Sequence, residues 1–318
     1  MNSISKINKE LLFIKFPIIF PITYGSILYL FPNFEIQLIF ITILLLAETH
    51  FAATWPFLLH KVNFHYIQTK KINLIIIPII IVFLCLFGFF LFKDIFLLIF
   101  FASNVFHVTR QSFGVCKLYC KDNLEKKVQE YLIYFINFLF FIVGYFRFYI
   151  PVINNENLVL LNILAFTGLI FVFIYYVYKF KFTENFLTFV TGSLIFYPFC
   201  FVNNPVHAII MGVTMHYTQY LYLTHHVYME RQSANENLIQ PSFLGIKYYK
   251  YIFTLVIYAV VMSVLSIFGK FEVSFLKYLI IIPIIGQMLH FYLDSQLWKF
   301  SEKHNRDNIL VHINKIFQ

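Results

Sequence analysis

Apolar windows of about twenty residues, the length a helix needs to cross a ~30 Å hydrocarbon core, recur from one end of this chain to the other. Within lipid each segment must satisfy its own backbone amides, so windows of this kind fold as helices. Ten can be read, at roughly 11–31, 36–59, 73–92, 95–119, 128–150, 158–178, 185–203, 205–229, 251–269 and 275–298. Asn203-Asn204-Pro205 is the turn signal that divides 185–229 in two. The expected fold is all-α: a polytopic integral membrane bundle of about ten transmembrane helices, with 1–318 as a single transmembrane domain. Composition agrees, because 60% hydrophobic residues, 12% charged residues and a mean hydropathy of +0.75 lie far from a soluble globular average.

Charge placement supplies an independent expectation. With the N-terminus cytoplasmic, 19 of the 24 lysines and arginines fall inside, from Lys6, Lys9 and Lys15 to the tail at Lys299, Lys303, Arg306 and Lys315. Only Lys93, Arg147, Lys270 and Lys277 fall outside, and Arg110 lies within a span. This bias follows the positive-inside rule and places both termini in the cytoplasm of a multi-pass inner-membrane protein. The net charge of +9 is then topological. Nucleic-acid binding would need a soluble module with a basic face, and the longest loop, about 230–250, is too short to fold alone. The first window contains Pro17 and Pro21 and no small-residue cleavage site, so it should remain as the first span. Cys85, Cys116, Cys120 and Cys200 form no CxxC pair and read as small apolar residues.

Histidine marks only the even-numbered windows. The second holds Glu48 and His50, and the fourth holds His107 with Arg110 and Gln111. The eighth holds His216, Gln219, His225 and His226, and the tenth His290 and Asp294. Counted at 1.5 Å per residue, His50, His107, His216 and His290 lie roughly 16–23 Å below the outer boundary. Ionisable groups are costly in hydrocarbon and are usually kept there for a site. Imidazoles suit iron, zinc or copper, and carboxylates suit iron. The expected metal ligands are His50, His107, His216, His225, His226, His290 and Glu48, with Asp294 able to fix the His290 tautomer from behind. Arg110 and Gln111 would hold a polar headgroup beside Gln219, or Arg110 would pair with Asp294 or Glu48. His50 and Thr54 share one helical face, and Glu48 points about 200° away.

The strings HVTRQSFG (His107 to Gly114), MHYTQYLYLTHH (Met215 to His226) and HFYLDSQLWK (His290 to Lys299) resemble motifs of uncharacterised bacterial multi-histidine membrane proteins. The chain is also broadly similar in style to the membrane fatty-acid desaturase and hydroxylase superfamily. It departs from that family's HxxxH and HxxHH boxes, with Thr54 four residues after His50 and Tyr222 three before His225. Together these readings point to a metal-dependent oxidoreductase with non-haem iron, mononuclear or di-iron, while zinc and haem remain open. The substrate would be a membrane lipid or isoprenoid, with an electron donor on the cytoplasmic face. The alternatives are a proton- or metal-coupled transporter using the same groups as a relay and a cytochrome with haem between His107 and His216.

Overall fold

The computed structural model describes residues 9–150, 155–183, 185–233, 249–269 and 275–316. Among these residues the regular structure is helical, without a strand. The helices are α1 (Ile19–Leu30), α2 (Pro32–Leu58), α3 (Phe64–Thr69), α4 (Ile72–Leu91), α5 (Lys93–Tyr119), α6 (Asn123–Tyr149), α7 (Asn155–Phe180), α8 (Phe186–Leu194), α9 (Pro205–Ser233), α10 (Tyr249–Phe268) and α11 (Ile281–Leu297). Helical turns at Lys303–Asn305, Arg306–Leu310 and Val311–Asn314 follow. Of the groups used above to orient the chain, Lys6, Lys247 and Lys270, with most of the 230–250 loop, lie outside the described residues.

Among the described residues six helices are long and apolar enough to cross a membrane: α2, α4, α6, α10, most of α7, and Leu276–Leu297, which includes α11. The other four windows differ for identifiable reasons. Helices α5 and α9, of 27 and 29 residues, have ample length, but their polar residues lower their apolarity. Helix α1 has 12 residues and begins only after the Pro17 break. Helix α8 has nine, because Pro198 has no N–H to continue the ladder and the chain passes into a 3-10 turn at Tyr197–Cys200.

The chain divides into two compact units, Met1–Ile39 with Phe101–Gln219, and Phe40–Phe100 with Tyr220–Gln318. In unit one, α6 packs along α7. Ile133, Ile136, Phe140 and Val143 recur at helical spacing on α6 and are fully or almost fully buried, forming the stripe that faces the core. A buried carboxylate ties this unit together at the start of α6. Glu125 Oε1 accepts hydrogen bonds from Tyr176 Oη at 2.6 Å, Asn185 Nδ2 at 3.1 Å, Thr183 Oγ1 at 3.2 Å and Gln129 Nε2 at 3.5 Å.

In unit two, α10 packs against the Glu48–Leu58 half of α2, and α11 packs against α4. Cys85, Phe89, Phe96, Ile281 and Ile284 form its apolar cluster. Beside it lies an apolar cavity of about 360 Å³ lined by Leu84, Gly88, Phe96, Ile99 and Met288, among others. Helix α2 carries a π-helical stretch, Ile43–Ala47, directly before Glu48. Such insertions are frequent at functional sites because they re-aim the next turn.

The basic end of unit two is built from neutral imidazoles. His304 Nε2–H donates to Asn63 Oδ1 at 2.9 Å, and its ring stacks on Tyr66 with centroids 4.2 Å apart. Burial, then the charges of Arg231, Lys61 and His312, push the His60 imidazole down to about 4. Burial and Arg231 also lower His304 and His312. A histidine with a depressed folded-state value is neutral in the fold and gains its proton more readily on unfolding. Its contribution to stability is therefore present above about pH 6.5 and lost as pH falls through 4. We expect the thermal midpoint of detergent-solubilised protein to fall between pH 6.5 and 4.5, and His60→Asn to flatten that fall. A midpoint independent of pH in this window would contradict the assignment.

Candidate metal centre

The centre of unit two is a chain of hydrogen bonds between side chains with almost no solvent exposure. His50, Thr54 and His290 are each 0% exposed, Asp294 is 1% and Tyr220 is 4%. They come from α2, α9 and α11. His290 and Asp294 stand one turn apart on α11, so both project from the same face. Asp294 Oδ1 accepts from Tyr220 Oη at 2.7 Å and from Thr54 Oγ1 at 3.0 Å. A carboxylate only accepts, so the single hydroxyl proton of Thr54 is committed to it. With the Thr54 proton directed at Asp294, the Thr54 oxygen acts as acceptor in its 2.6 Å contact with His290 Nδ1. This arrangement puts the His290 proton on Nδ1 and a lone pair on Nε2.

That lone pair has His50 nearby. The two imidazole rings lie 4.5 Å apart between centroids, at 65° to each other, and a ligand nitrogen of each lies within 4.8 Å of the other. A metal held by two imidazoles at 2.0–2.1 Å each would bring the nitrogens to about 3–3.4 Å at octahedral or tetrahedral angles, well inside that limit. His290 Nε2 also lies 3.6 Å from Asp294 Oδ2. With the proton on Nδ1, these two atoms are both electron-rich, and a nearby cation would make their proximity favourable. Tyr220 flanks the pair, 4.3 Å from His50 between centroids. Glu48, 2% exposed on the same turn of α2, takes a hydrogen bond from Gln287 instead of joining this chain.

Unit one holds a second buried imidazole pair. His107 on α5 and His216 on α9 are 6% and 2% exposed, with ring centroids 5.7 Å apart and nearly perpendicular. Gln219 is buried, but its Nε2 donates to the backbone carbonyl of Ile14 at 2.6 Å. It ties α9 to the π-helical turn Leu11–Lys15 that precedes α1. Arg110 is exposed although His107, three residues earlier, is buried, and Gln111 is half-buried. Among the described residues Arg110 forms no ion pair. His225 is exposed and His226 half-buried. His225 has the Tyr251 ring 6.0 Å away between centroids.

Sequence reasoning passed over Tyr220, one of 22 tyrosines with nothing in its local string to distinguish it. It also passed over a three-residue chain in unit one. Tyr24 Oη donates to His207 Nδ1 at 2.7 Å, and His207 Nε2–H donates to Glu35 Oε1 at 2.7 Å. The three residues lie 172 and 183 positions apart along the chain, beyond the reach of any local pattern. Comparison of the chain with protein-family models, with curated proteins and with solved structures gives no match.

Proposed function

We propose that this protein is a metal-dependent oxidoreductase of the membrane, holding its metal at His50 and His290. One observation carries the reading: a water-poor pair of imidazoles in which the Asp294–Thr54 chain fixes the tautomer of one ring. Metal-binding histidines are characteristically oriented in this way by a carboxylate behind them. The metal we propose is non-haem iron, since imidazoles with a carboxylate close by suit iron better than a purely imidazole set does. A bound iron would supply the one-electron chemistry that side chains lack. The protein would orient the ring nitrogens, exclude water and hold the proton of His290 away from the metal.

An apolar substrate, a lipid or isoprenoid, fits a protein with six helices apolar enough for a membrane. The bundle we favour has ten spans, counting the two polar helices and the two short ones, with both termini on the cytoplasmic side of an inner membrane. A proton-coupled carrier is the second reading, and the Tyr24–His207–Glu35 chain favours it. Glu35 is half-exposed, its side chain 46% accessible, so the chain links a buried hydroxyl to a carboxylate that water reaches.

Elemental analysis of detergent-purified protein, with a visible spectrum, tests the proposal. We expect about one or two iron atoms per chain and no Soret band, with the iron lost in a His50→Ala/His290→Ala double variant. The companion His107→Ala/His216→Ala variant reports whether the second pair contributes. A folded wild type that neither retains nor rebinds metal would overturn the reading in favour of the carrier.

A further inference from the structure

At the basic end of unit two, Arg231 is buried to 2% exposure near the end of α9. Its Nε donates to the backbone carbonyl of Asn308 at 2.8 Å and Nη1 to that of Phe57 at 3.4 Å, with the guanidinium 4.5 Å from the Phe57 ring centroid. Phe57 lies in the last turn of α2, where the backbone carbonyls carry the negative end of the helix dipole. These contacts hold the guanidinium in place but supply only partial charge. Among the described residues no carboxylate pairs with Arg231, and its Nη2 is buried with no hydrogen-bond partner. The neighbouring Glu230 is committed elsewhere, to Lys315 at 2.6 Å.

A second buried nitrogen shares this condition. Nδ1 of His312, on the helical turn Val311–Asn314, has no hydrogen-bond partner among the described residues either, and its imidazole feels the charge of Arg231. A buried charge left uncompensated is destabilising, and so is each unmade buried hydrogen bond. An anion seated against both nitrogens would offset these costs together. A phosphate group fits best, because its several acceptor oxygens can meet a guanidinium edge and an imidazole at once, and phosphate recognition is a preferred use of arginine. His60, neutral in the fold, offers a further N–H donor at the margin.

We propose that Arg231 and His312 form an anion site that takes a phosphate group, either from a lipid headgroup or from a soluble phosphate. The test uses the full chain in phosphatidylcholine nanodiscs, titrated calorimetrically with inorganic phosphate, and a parallel set of nanodiscs containing phosphatidic acid. Saturable binding of inorganic phosphate, weakened about tenfold or more in Arg231→Gln, would support a soluble source. A thermal midpoint raised only by phosphatidic acid, and lowered again by Arg231→Gln, would support a headgroup. His312→Gln should weaken either response by about threefold to tenfold, and it carries the test if Arg231→Gln does not fold. A folded wild type with no response in either arm would overturn the site. So would variants that respond as the wild type does.

Discussion

Thr54→Val is expected to lower the metal affinity of the proposed His50–His290 centre about 10–100-fold, and His290→Ala to abolish binding there. The argument for Thr54 is one of proton accounting. Its hydroxyl gives its proton to Asp294 and receives one from His290 Nδ1, so it passes the preference of the carboxylate through to the imidazole. Valine has nearly the same shape and similar helix propensity, but it can neither donate nor accept. The Nδ1–H then loses its acceptor in a site with no exposure, at a cost of about 1–3 kcal/mol. The ring can recover by moving the proton to Nε2, which occupies the lone pair needed by the metal. Thr54→Ser keeps the hydroxyl and should bind as the wild type does. Iron or cobalt titration of the stripped proteins, read with their thermal midpoints, separates lost affinity from lost fold. If Thr54→Val bound metal like the wild type, the Asp294–Thr54 chain would have no part in orienting His290.

How far this centre could be read from the chain depends on which residues carry it. The burial of His50, His107, His216 and His290 was legible, because an imidazole in an apolar window is costly and conspicuous. The shared face of His50 and Thr54 followed from helical spacing, as did that of His290 and Asp294. Partnership was not legible, since His290 meets Thr54 across 236 residues and Tyr220 meets Asp294 across 74. Arg110 shows the limit of spacing arguments. Three residues put it about 60° around α5 from His107, close enough to look shared, yet its long side chain reaches the exposed flank. His225 lies nine residues after His216, on the opposite side of α9, and is exposed for that reason. The apolar windows of α2, α4, α6 and α10 appear as helices, whereas the prolines that shorten α1 and α8 were visible in the sequence without their effect on length.

Gly212→Ala is expected to destabilise unit one by about 3 kcal/mol or more, at or above the upper end of the usual cost of overpacking, while Gly114→Ala is expected to stabilise it by about 0.5–1 kcal/mol. Both glycines sit inside long helices, where alanine is intrinsically the better residue, so the opposite signs come from their surroundings. A Cβ at Gly114 on α5 would meet nothing within 4 Å. A Cβ at Gly212 on α9 would collide with the backbone carbonyl oxygen of Ile195 and come within 2.9 Å of its carbon and 3.3 Å of Pro198 Cδ. Side chains can rotate away from a new methyl group, but here the obstacle is backbone, just past the end of α8. The turn there is fixed by Pro198 and by buried Ile195, Phe196 and Phe199, each 0% exposed. Relief would need α9 to move away from that turn, drawing His207 from Tyr24 and Gln219 from Ile14. Thermal unfolding of the two variants in detergent reads both signs in one experiment. Equal midpoints for Gly212→Ala and the wild type would mean that α9 does not press its backbone against Ile195, and that the polar side chains it presents in unit one are placed by other contacts.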